Sequence, residues 1–477
     1  MKFNRRSFLK AAGLAGTGVL VGCKTTVPEE DRSVFSEIKK EAERKHEQIF
    51  NMSGYAAPKL DVVNVGFLGV GNRGAAAVER MSQIEGVHIT AINDVRKEKA
   101  IAAKQRIKTE GHLAKIYTDG DEDWMRVCER DDIDLIDICA HWEVHAPMAI
   151  YAMEQGKHVA LEIPAATTVE DCWRLVSTSE RTKKHCVILE NCCYDFFELV
   201  TLNMARQGFF GDIIHCEGAY IHDILESFFE EEKRFDYWRL RENAKNNGNL
   251  YPTHGLGPVC QILGVNRGNK LTYMSSMASG DFVLNELTKK KAHEDSFFNQ
   301  FIDSPFRGNI NLTNIRTEQN QTIMIQHDVT SPRPYSRLHL VSGTKAFAQK
   351  YPLPGKISVG HGDFLDQEEC DRLQVEYAPG LVQKIGELAK EIGGHGGMDF
   401  MMDWRLIDCL RNGLPVDMDV YDAATWSVIR PLSQWSIANK SAPIDIPDFT
   451  CGAWKTNSIH DINLEFGGTT KVRKSNV

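Results

Sequence analysis

The stretch Gly69-Val70-Gly71-Asn72-Arg73-Gly74 decides the fold of the N-terminal part of this chain, because of what stands on either side of it. The apolar run Val62–Leu68 before it predicts a buried strand, and Ala75–Met81 after it predicts a helix. A second strand, Val87–Asn93, ends at Asp94, about 20 residues beyond the last glycine. This order of elements predicts a dinucleotide site on a parallel sheet.

Each residue of this pattern has a physical task at a pyrophosphate. Gly69 permits a tight turn, Gly71 lets the backbone approach the phosphates, and Gly74 allows the helix to pack closely on the strand. The helix N-terminus offers free N–H groups to the anion. Asp94 is placed to accept hydrogen bonds from ribose hydroxyls, which favours NAD over NADP. The alternative is a glycine-rich turn that binds nothing.

Residues 1–23 predict a targeting signal rather than a part of the fold. Asn4–Lys10 contains the arginine pair of a twin-arginine signal, and the weakly apolar run Ala11–Leu20 is too short to span a bilayer. Leu20–Cys23 is typical of a lipobox, with Cys23 as the lipidated first residue of the mature chain. We therefore expect twin-arginine export to the periplasm or cell envelope, with membrane contact only through a lipid on Cys23. The alternative is an ordinary cysteine near a non-lipid cleavage site.

The composition is that of an ordinary soluble globular protein with two or three domains. The chain has 477 residues and a net charge of −9, and no basic stripe is present, which argues against nucleic-acid binding. Its 12 cysteines form no C-x-x-C pair, so we expect no structural metal site. Most of these cysteines lie in apolar runs and are expected to be small buried hydrophobes.

The pattern of strands and helices changes along the chain and predicts two domains after a polar N-terminal segment. Residues 24–60 are interpreted as a tether with an N-terminal extension, and 61–190 as the nucleotide-binding domain with a doubly wound parallel sheet. Residues 191–477 predict an α+β domain with an open, mostly antiparallel sheet. The strands expected in this second sheet are Ile213–Tyr220, Lys270–Met277, Gln321–His327 and Arg337–Val341, and the expected helices include Phe400–Arg411 and Asp422–Ser433.

Three further motifs carry a resemblance to the Gfo/Idh/MocA oxidoreductase family. His141–Pro147, Gly156–Val159 and Glu162–Ala165 follow the glycine loop in the family's order. The family usually has Glu-Lys-Pro at the third motif, where its lysine assists hydride transfer, but this chain has Ile163. The usual catalytic Asp and His of the C-terminal domain are also replaced, by Pro252 and Leu256.

These departures resemble one branch, the NAD-dependent glycoside hydrolase family 109, whose characterised activity is α-N-acetylgalactosaminidase. The resemblance covers nearly all of residues 62–454. The matching motifs are Glu162–Ala166, Glu190–Tyr194, Leu250–Pro258, Gly393–Phe400 and Pro431–Ser436.

The resemblance implies a hydrolysis that differs from the usual pair of carboxylates. In this family bound NAD oxidises C3 of the sugar, the C2 proton becomes acidic, and the substituent at C1 leaves by elimination. Water then adds at C1 and C3 is reduced again, so that NAD is recycled within one turnover. This recycling agrees with an exported enzyme, because no pool of nicotinamide cofactor is expected outside the cytoplasm.

The resemblance also assigns roles to individual residues. It implies His254 as the general base at the C3 hydroxyl, since imidazole titrates near neutral pH, and Tyr251 as a catalytic residue that contacts cofactor and sugar. Tyr220, Arg239 and Tyr335 match substrate-contacting positions, together with Tyr251 and His254. The cofactor-binding residues it implies are Gly69, Gly71, Asn72, Arg73, Gly74, Asp94, Trp142, His145, Glu162, Ile163, Asn191 and Tyr251.

Other interpretations of the same residues stay open at this point. His254 could cap a glycine-rich loop, and Trp142 could be a packing aromatic. Each of Tyr220, Arg239 and Tyr335 could be a half-exposed strand or loop residue. The runner-up enzyme is an NAD(P)-dependent sugar oxidoreductase, against which Ile163 counts. A third reading is a silent sugar-binding surface lipoprotein. We expect a glycan or glycoconjugate as the substrate and consider a homo-oligomer possible, because an open sheet face often pairs in this family.

Overall fold

The computed structural model describes residues 29–232 and 235–473. The predicted signal and Cys23 lie outside the described residues. The chain divides into two compact units, Met1–Glu37 and Ile38–Val477. Helix α1 (Glu29–Glu43) begins in the first unit, and the strands and the other described helices lie in the second. Among the described residues, none of the helices combines the length and the apolar character needed to cross a membrane.

The first domain of the second unit is a six-stranded parallel sheet in the order β3-β2-β1-β4-β5-β6. All of its strands except the edge strand β3 carry apolar runs that are buried on both faces, as a parallel sheet covered by helices requires. The strands are β1 (Val63–Leu68), β2 (Val87–Asn93), β3 (Lys115–Tyr117), β4 (Leu135–Ile138), β5 (His158–Leu161) and β6 (Cys186–Ile188). The helices are α2 (Asn72–Met81), α3 (Lys97–Gln105), α4 (Asp123–Cys128), α5 (Trp142–Glu154) and α6 (Val169–Thr182).

The strand order reverses between β1 and β4, and this reversal positions the functional residues. In open α/β sheets the ligand crevice lies outside the carboxyl ends of the strands at such a switch point. Gly69 follows β1, Asp94 follows β2, Glu162 follows β5, and Asn191 stands three residues after β6. The predicted doubly wound domain is therefore confirmed.

The second domain is built on an eight-stranded sheet in the order β13-β12-β11-β7-β10-β9-β8-β14. Strands β7 and β10 run parallel and the other neighbouring pairs antiparallel, so the predicted mostly antiparallel sheet is confirmed. The strands are β7 (Ile213–Ile221), β8 (Leu271–Ala278), β9 (Ile310–Thr317), β10 (Thr322–Asp328), β11 (Leu340–Gly343), β12 (Ala346–Gln349), β13 (Lys356–Val359) and β14 (Ile444–Asp445).

The helices of this part of the chain lie before, between and after these strands, and some pack on the sheet while others pack on the first domain. They are α7 (Phe196–Arg206), α8 (Trp238–Lys245), α9 (Thr253–Ile262), α10 (Leu284–Glu294), α11 (Gln367–Glu376), α12 (Gly380–Ile392), α13 (Met398–Asn412), α14 (Val420–Ser427) and α15 (Ile429–Ala438). Helix α9 lies against β7 at a contact of two glycines, since a Cβ atom at Gly218 would stand 2.1 Å from the carbonyl oxygen of Gly255. This close approach brings the start of α9 beside the end of β7.

Two predicted elements have different bounds in the structure. The strand expected over Arg337–Val341 begins at Leu340, because Leu338 and His339 have positive φ angles of 56° and 51°, which are incompatible with an extended strand. The single helix expected over Asp422–Ser433 is two helices, α14 and α15. Pro431 has no N–H to donate to the carbonyl oxygen of Ser427, four residues earlier. The helix is therefore interrupted at Val428, between α14 and α15.

Candidate active site

A cavity of about 890 Å³ opens at the carboxyl ends of the parallel strands and extends to the start of α9. Fourteen of the sixteen predicted site residues line it. They are Gly69, Gly71, Asn72, Arg73, Asp94, Trp142, His145, Glu162, Ile163, Asn191, Tyr220, Arg239, Tyr251 and His254. The remaining two, Gly74 and Tyr335, do not line it. One cavity thus brings the predicted cofactor-binding and substrate-binding residues together.

The glycine loop has the geometry that a pyrophosphate requires. Gly69 has a φ of +82°, and a Cβ atom there would lie 2.9 Å from the backbone of Cys139. A Cβ atom at Gly74 would lie 2.1 Å from the carbonyl oxygen of Gly69, so Gly74 packs beneath the loop rather than lining the cavity. At Gly71 the nearest atom would be 3.7 Å away, on Arg96, which leaves the backbone accessible to a ligand. These residues fit the phosphates of NAD.

Asp94 ties the end of β2 to the glycine loop. One carboxylate oxygen accepts a hydrogen bond from the backbone N–H of Val70 at 2.9 Å, and the other accepts one from the N–H of Arg96 at 2.9 Å. The residue is 6% exposed and faces the cavity, so its oxygens keep lone pairs for a ribose. The position fits the adenosine ribose of NAD.

Arg73 links two carboxylates at the edge of the cavity. Its guanidinium lies 2.7 Å from Glu162 Oε1 and donates to Asp399 Oδ2 at 3.1 Å. Asn191 donates to the other oxygen of Asp399 at 2.5 Å, and His395 Nδ1 lies 2.8 Å from Oδ2. Burial alone would raise the pKa of Asp399, but His395 and Arg73 hold that pKa well below its ordinary value. Glu162 and Asp399 are therefore engaged by internal partners.

His145 is enclosed by two backbone carbonyl groups, although it lines the cavity. Its Nδ1 lies 2.8 Å from the carbonyl oxygen of Pro164, and its Nε2 lies 3.0 Å from that of Ala140. Burial lowers the pKa of His145. The imidazole joins the segment after β4 to the segment after β5, next to Ile163, and in this way shapes the cavity wall.

An aromatic cluster that contacts Arg239 forms another wall. Trp142 stacks on Tyr251 with ring centroids 5.6 Å apart and meets Trp238 edge-on at 4.7 Å. The guanidinium of Arg239 lies 5.0 Å from the Trp142 ring and 5.4 Å from the Tyr251 ring. Arg239 is 9% exposed, and its Nε has no hydrogen-bond partner within residues 29–232 and 235–473. The Arg239 guanidinium lines the cavity, and its N–H donors suit a ligand rich in oxygen atoms.

His254 stands in the first turn of α9, at the bottom of this wall. Its Nδ1 lies 2.7 Å from Glu190 Oε1, and its ring meets those of Tyr220 and Tyr251 edge-on at 5.1 and 4.9 Å. Burial opposes ionisation of Glu190, but the neighbouring His254 outweighs it, so the pKa of Glu190 is lowered. Burial raises the pKa of Tyr251 well above its ordinary value, so this phenol stays protonated. The arrangement provides an imidazole base beside a neutral phenol.

Tyr335 lies behind the cavity wall rather than in it. It is 39% exposed, its hydroxyl accepts a hydrogen bond from Arg337 at 3.0 Å, and its ring meets His222 edge-on at 4.9 Å. His222 does line the cavity, and its Nδ1 lies 2.9 Å from the hydroxyl of Tyr220. Tyr335 therefore reaches the cavity only through His222.

Glu190, Cys192 and His254 bring three potential metal-ligand atoms within 4.8 Å of one another, and the described part of the chain holds no second group of this kind. Two of these atoms are already joined by the hydrogen bond between Glu190 and His254. Burial also raises the pKa of the Cys192 thiol well above its ordinary value, which opposes the thiolate that a metal requires. We therefore describe the group as a hydrogen-bonded cluster.

Several residues around the cavity were not among the predicted site residues. They are Arg96, Cys139, His222, Trp238, His395 and Asp399, which line it, and Glu190, which lies beneath it. Sequence signals existed for some of them. Glu190 adjoins Asn191 in one matching motif, and Asp399 belongs to the motif Gly393–Phe400. Trp238 adjoins Arg239, whereas nothing in the sequence near Arg96 or His222 indicated a role.

The fold and the cavity together define a class of protein, a two-domain enzyme in which a Rossmann domain presents a nucleotide to a cavity lined by the second domain. Two families match the chain. "Oxidoreductase family, NAD-binding Rossmann fold" matches residues 63–190, and "Glycosyl hydrolase 109, C-terminal domain" matches residues 194–456. The chain belongs to glycosyl hydrolase family 109. The predicted family, the predicted class of enzyme and NAD as the predicted cofactor are confirmed.

Curated relatives agree with this assignment, and solved structures share the fold. The chain is 47% identical over 406 residues to an alpha-N-acetylgalactosaminidase of Bacteroides fragilis, covering 84% of this chain and 95% of the relative. It is 41% identical over 456 residues to glycosyl hydrolase family 109 protein 1 of Bacteroides thetaiotaomicron, and the match covers 91% of this chain and 95% of the relative. Levoglucosan dehydrogenase in complex with NADH has a similar fold, with a TM-score of 0.59 and 16% identity. The match covers 81% of this chain and 99% of the dehydrogenase chain.

Proposed function

We propose that this enzyme removes terminal N-acetylhexosamine from glycans, with α-linked N-acetylgalactosamine as the first substrate to test. The proposal is supported by the name and the 47% identity of the Bacteroides fragilis relative, of which the chain covers 95%. One observation of the site carries the mechanism. His254, bonded to Glu190, shares a single cavity with the NAD-binding glycine loop.

Three of the four carboxylates that line the cavity are engaged by internal partners, and the fourth, Asp121, is an exposed residue four positions after β3, which argues against a two-carboxylate hydrolysis. Such an enzyme needs one carboxyl group free to protonate the leaving oxygen and a second that is free to attack or to activate water. Glu162 and Asp399 both bind Arg73, and Asp399 also binds Asn191 and His395. Asp94 accepts a hydrogen bond from Val70 in the glycine loop. The acid and base work on the sugar is therefore assigned to His254 and its neighbours.

The roles of the residues follow from their hydrogen-bonding capacity. When bound, NAD supplies a reversible oxidation of the sugar at C3, and this oxidation acidifies the C2 proton. His254 holds its Nδ1 against Glu190, which leaves Nε2 to accept the proton of the C3 hydroxyl. Tyr251 stays protonated and donates a hydrogen bond to a sugar oxygen, and the Arg239 guanidinium, which lines the cavity, binds another oxygen. Stacking between Trp142 and Tyr251 excludes water from this wall.

Turnover in D₂O tests the mechanism. The C2 proton leaves before the bond at C1 is cleaved and is replaced from solvent, so we expect deuterium at C2 of the released sugar. Direct displacement at C1 leaves C2 untouched, and full retention of protium at C2 would refute the mechanism. Chromogenic α- and β-linked N-acetylgalactosaminides and N-acetylglucosaminides measured in parallel test the substrate. Net accumulation of NADH or of an oxidised sugar would instead indicate an oxidoreductase.

We also propose that the enzyme is exported by the twin-arginine route and anchored by a lipid at Cys23. The proposal is supported by Arg5-Arg6 and by the sequence Leu20–Cys23. Replacing both arginines by lysine should leave the precursor in the cytoplasm. Cys23→Ala should permit export but abolish association with the membrane, and unchanged association in that variant would contradict the lipid anchor.

A further inference from the structure

We propose that Glu190 is a positioning residue that orients His254 and stabilises its protonated form during turnover. This inference rests on the proposed function, because it gives His254 the role of a base. Its starting point is the contact of 2.7 Å between Glu190 Oε1 and His254 Nδ1. The Glu190 side chain is fully buried, whereas His254 keeps 12% of its side chain exposed toward the cavity. The carboxylate is therefore behind the imidazole and out of reach of a substrate.

The chain around Glu190 is built to hold this carboxylate in place. Oε1 also accepts a hydrogen bond from the backbone N–H of Cys192 at 3.0 Å, which caps the short 3₁₀ helix Asn191–Tyr194. On α9, Gly257 faces it three residues after His254. A Cβ atom at Gly257 would stand 2.9 Å from Glu190 Cγ and 3.1 Å from the Cys193 sulfur. The absence of a side chain at Gly257 makes the space that the carboxylate occupies.

Glu190 and Asn191 face opposite halves of the cavity from adjacent positions. Asn191 donates to Asp399, which belongs to the charged group around Arg73 on the cofactor side. Glu190 binds His254 on the substrate side. Two consecutive residues after β6 thus fix the base relative to the cofactor-binding half.

The chemical consequence concerns which nitrogen of His254 carries the proton. The neighbouring His254 lowers the pKa of Glu190, although burial opposes this. Glu190 is therefore an ionised carboxylate and accepts the hydrogen bond. Nδ1 therefore donates and Nε2 is the free base. When Nε2 takes a proton, the imidazolium formed is paired with a buried anion, which is the arrangement of a carboxylate behind a catalytic histidine.

The other titratable groups around His254 do not supply such a charge. Tyr251 and Cys192 are held in their neutral forms because burial raises the pKa of each, and burial lowers the pKa of His222. Tyr220 presents its ring edge-on to His254, and His327 stacks on Tyr220 at 6.3 Å. Glu190 is thus the carboxylate that His254 contacts.

The test is the holoenzyme carrying Glu190→Gln, which keeps the shape of the side chain and removes its charge. We expect kcat to fall by about 10²-fold or more with KM changed little, because replacing such a carboxylate by an amide has cost up to about 10⁴-fold elsewhere. The acid limb of the kcat profile should move to lower pH by about one unit or more. The matched control is Glu180→Gln, a buried glutamate that bonds Tyr421 instead of a residue of the cavity and should keep the wild-type profile.

A second measurement makes the result independent of the substrate. The titration of His254 followed by NMR of labelled imidazoles, assigned with His254→Gln, should show a lower pKa in Glu190→Gln than in the wild type. An unchanged His254 titration together with an unchanged pH profile would overturn the proposal, even if the variant lost stability. A wild-type enzyme without glycosidase activity would overturn the proposed function, and the NMR comparison would still decide the role of Glu190.

Discussion

The two halves of the cavity use different kinds of residues for different kinds of work. On the cofactor side the charged groups are matched internally, as Arg73 binds Glu162 and Asp399. On the substrate side the wall is aromatic, and Arg239 keeps an unpartnered Nε within the described residues. The first half is complete without a ligand, whereas the second leaves hydrogen-bonding capacity for one.

This difference suits a cofactor that stays bound and a substrate that must leave. A loop fixed by close packing, as at Gly69 and Gly74, costs little reorganisation when a nucleotide binds. The aromatic rings of the substrate side can contact a sugar without first breaking an internal hydrogen bond. Mutations in the two halves should therefore have separable effects, on nucleotide retention in one case and on turnover in the other.

The largest effect is expected for His254→Ala. We expect kcat to fall by roughly 10²–10⁴, the range for loss of a general base, while NAD remains bound. The nucleotide released by heat denaturation measures the second part, and His361→Ala, an exposed histidine in a turn, is the matched control. Loss of NAD from the His254 variant would show that the substrate half also contributes to nucleotide retention, and it would contradict the predicted separation of effects.

The comparison extends to the domains beneath the two halves, through their response to acid. Burial, with a contribution from Lys184, lowers the pKa of His185 in the first domain to about 4 from 6.5. A buried neutral histidine stabilises the fold fully above pH 6.5, and this stability is lost as the pH falls toward 4. The loss amounts to about 3 kcal/mol at 1.36 kcal/mol per pH unit.

In the second domain the buried carboxylate Glu198 contributes to stability over a lower range of pH than His185 does. Burial opposes ionisation of Glu198, but Lys350 and Arg337 lower its pKa to about 2 from 4.5, so its contribution persists until the pH falls below 4.5. We therefore expect His185→Phe to flatten the loss of stability between pH 7 and pH 4.5, measured by urea unfolding, and Glu198→Gln not to flatten it. If the free energy of unfolding of His185→Phe depended on pH as steeply as that of the wild type, His185 would not be the source of this loss.

Asp94→Ala should have the next largest effect, and it acts on the cofactor half. Removing a charge-assisted acceptor should weaken nucleotide retention by roughly 1.5–3 kcal/mol. The variant also leaves the buried N–H of Val70 without its partner, so Asp94→Asn, which keeps one acceptor oxygen, should lose less. The amount of NAD per chain after dialysis measures both. Full retention in Asp94→Ala would mean that the ribose is held elsewhere.

Spacing alone predicted the glycine loop and Asp94 of the cofactor half, because these residues are local, whereas the other residues of that half came from the resemblance. Gly69 to Gly74 follow one strand, and Asp94 ends the next, so the order of elements places them at one edge of the sheet. The substrate half could be predicted only from the resemblance. Tyr220 and His254 meet because β7 and α9 touch at two glycines, a contact that no periodicity of the sequence encodes.

Residues that act through others were the hardest to predict. Glu190 and Asp399 bond His254 and Arg73, which stand 64 and 326 positions away in the chain. Their roles depend on tertiary contacts, and the motifs that contain them gave only their location. Strand β11 begins later than the sequence predicted for a local reason, the positive φ angles at Leu338 and His339. The assigned roles of all these site residues stay predictions until the variants are measured.

The smallest effect is expected for Tyr335→Phe, which sharpens the boundary of the substrate half. The resemblance assigns Tyr335 to the substrate, but its hydroxyl binds Arg337 and its ring touches the cavity only through His222. Phenylalanine keeps the ring contact, so kcat/KM should change by less than about threefold, as at other positions away from a site. Tyr220→Phe is the matched variant within the cavity, because it removes a hydroxyl that bonds His222, and it should lower kcat/KM more. If Tyr335→Phe proved the more damaging of the two, the sugar would extend past His222, and the boundary of the cavity would have to include that tyrosine.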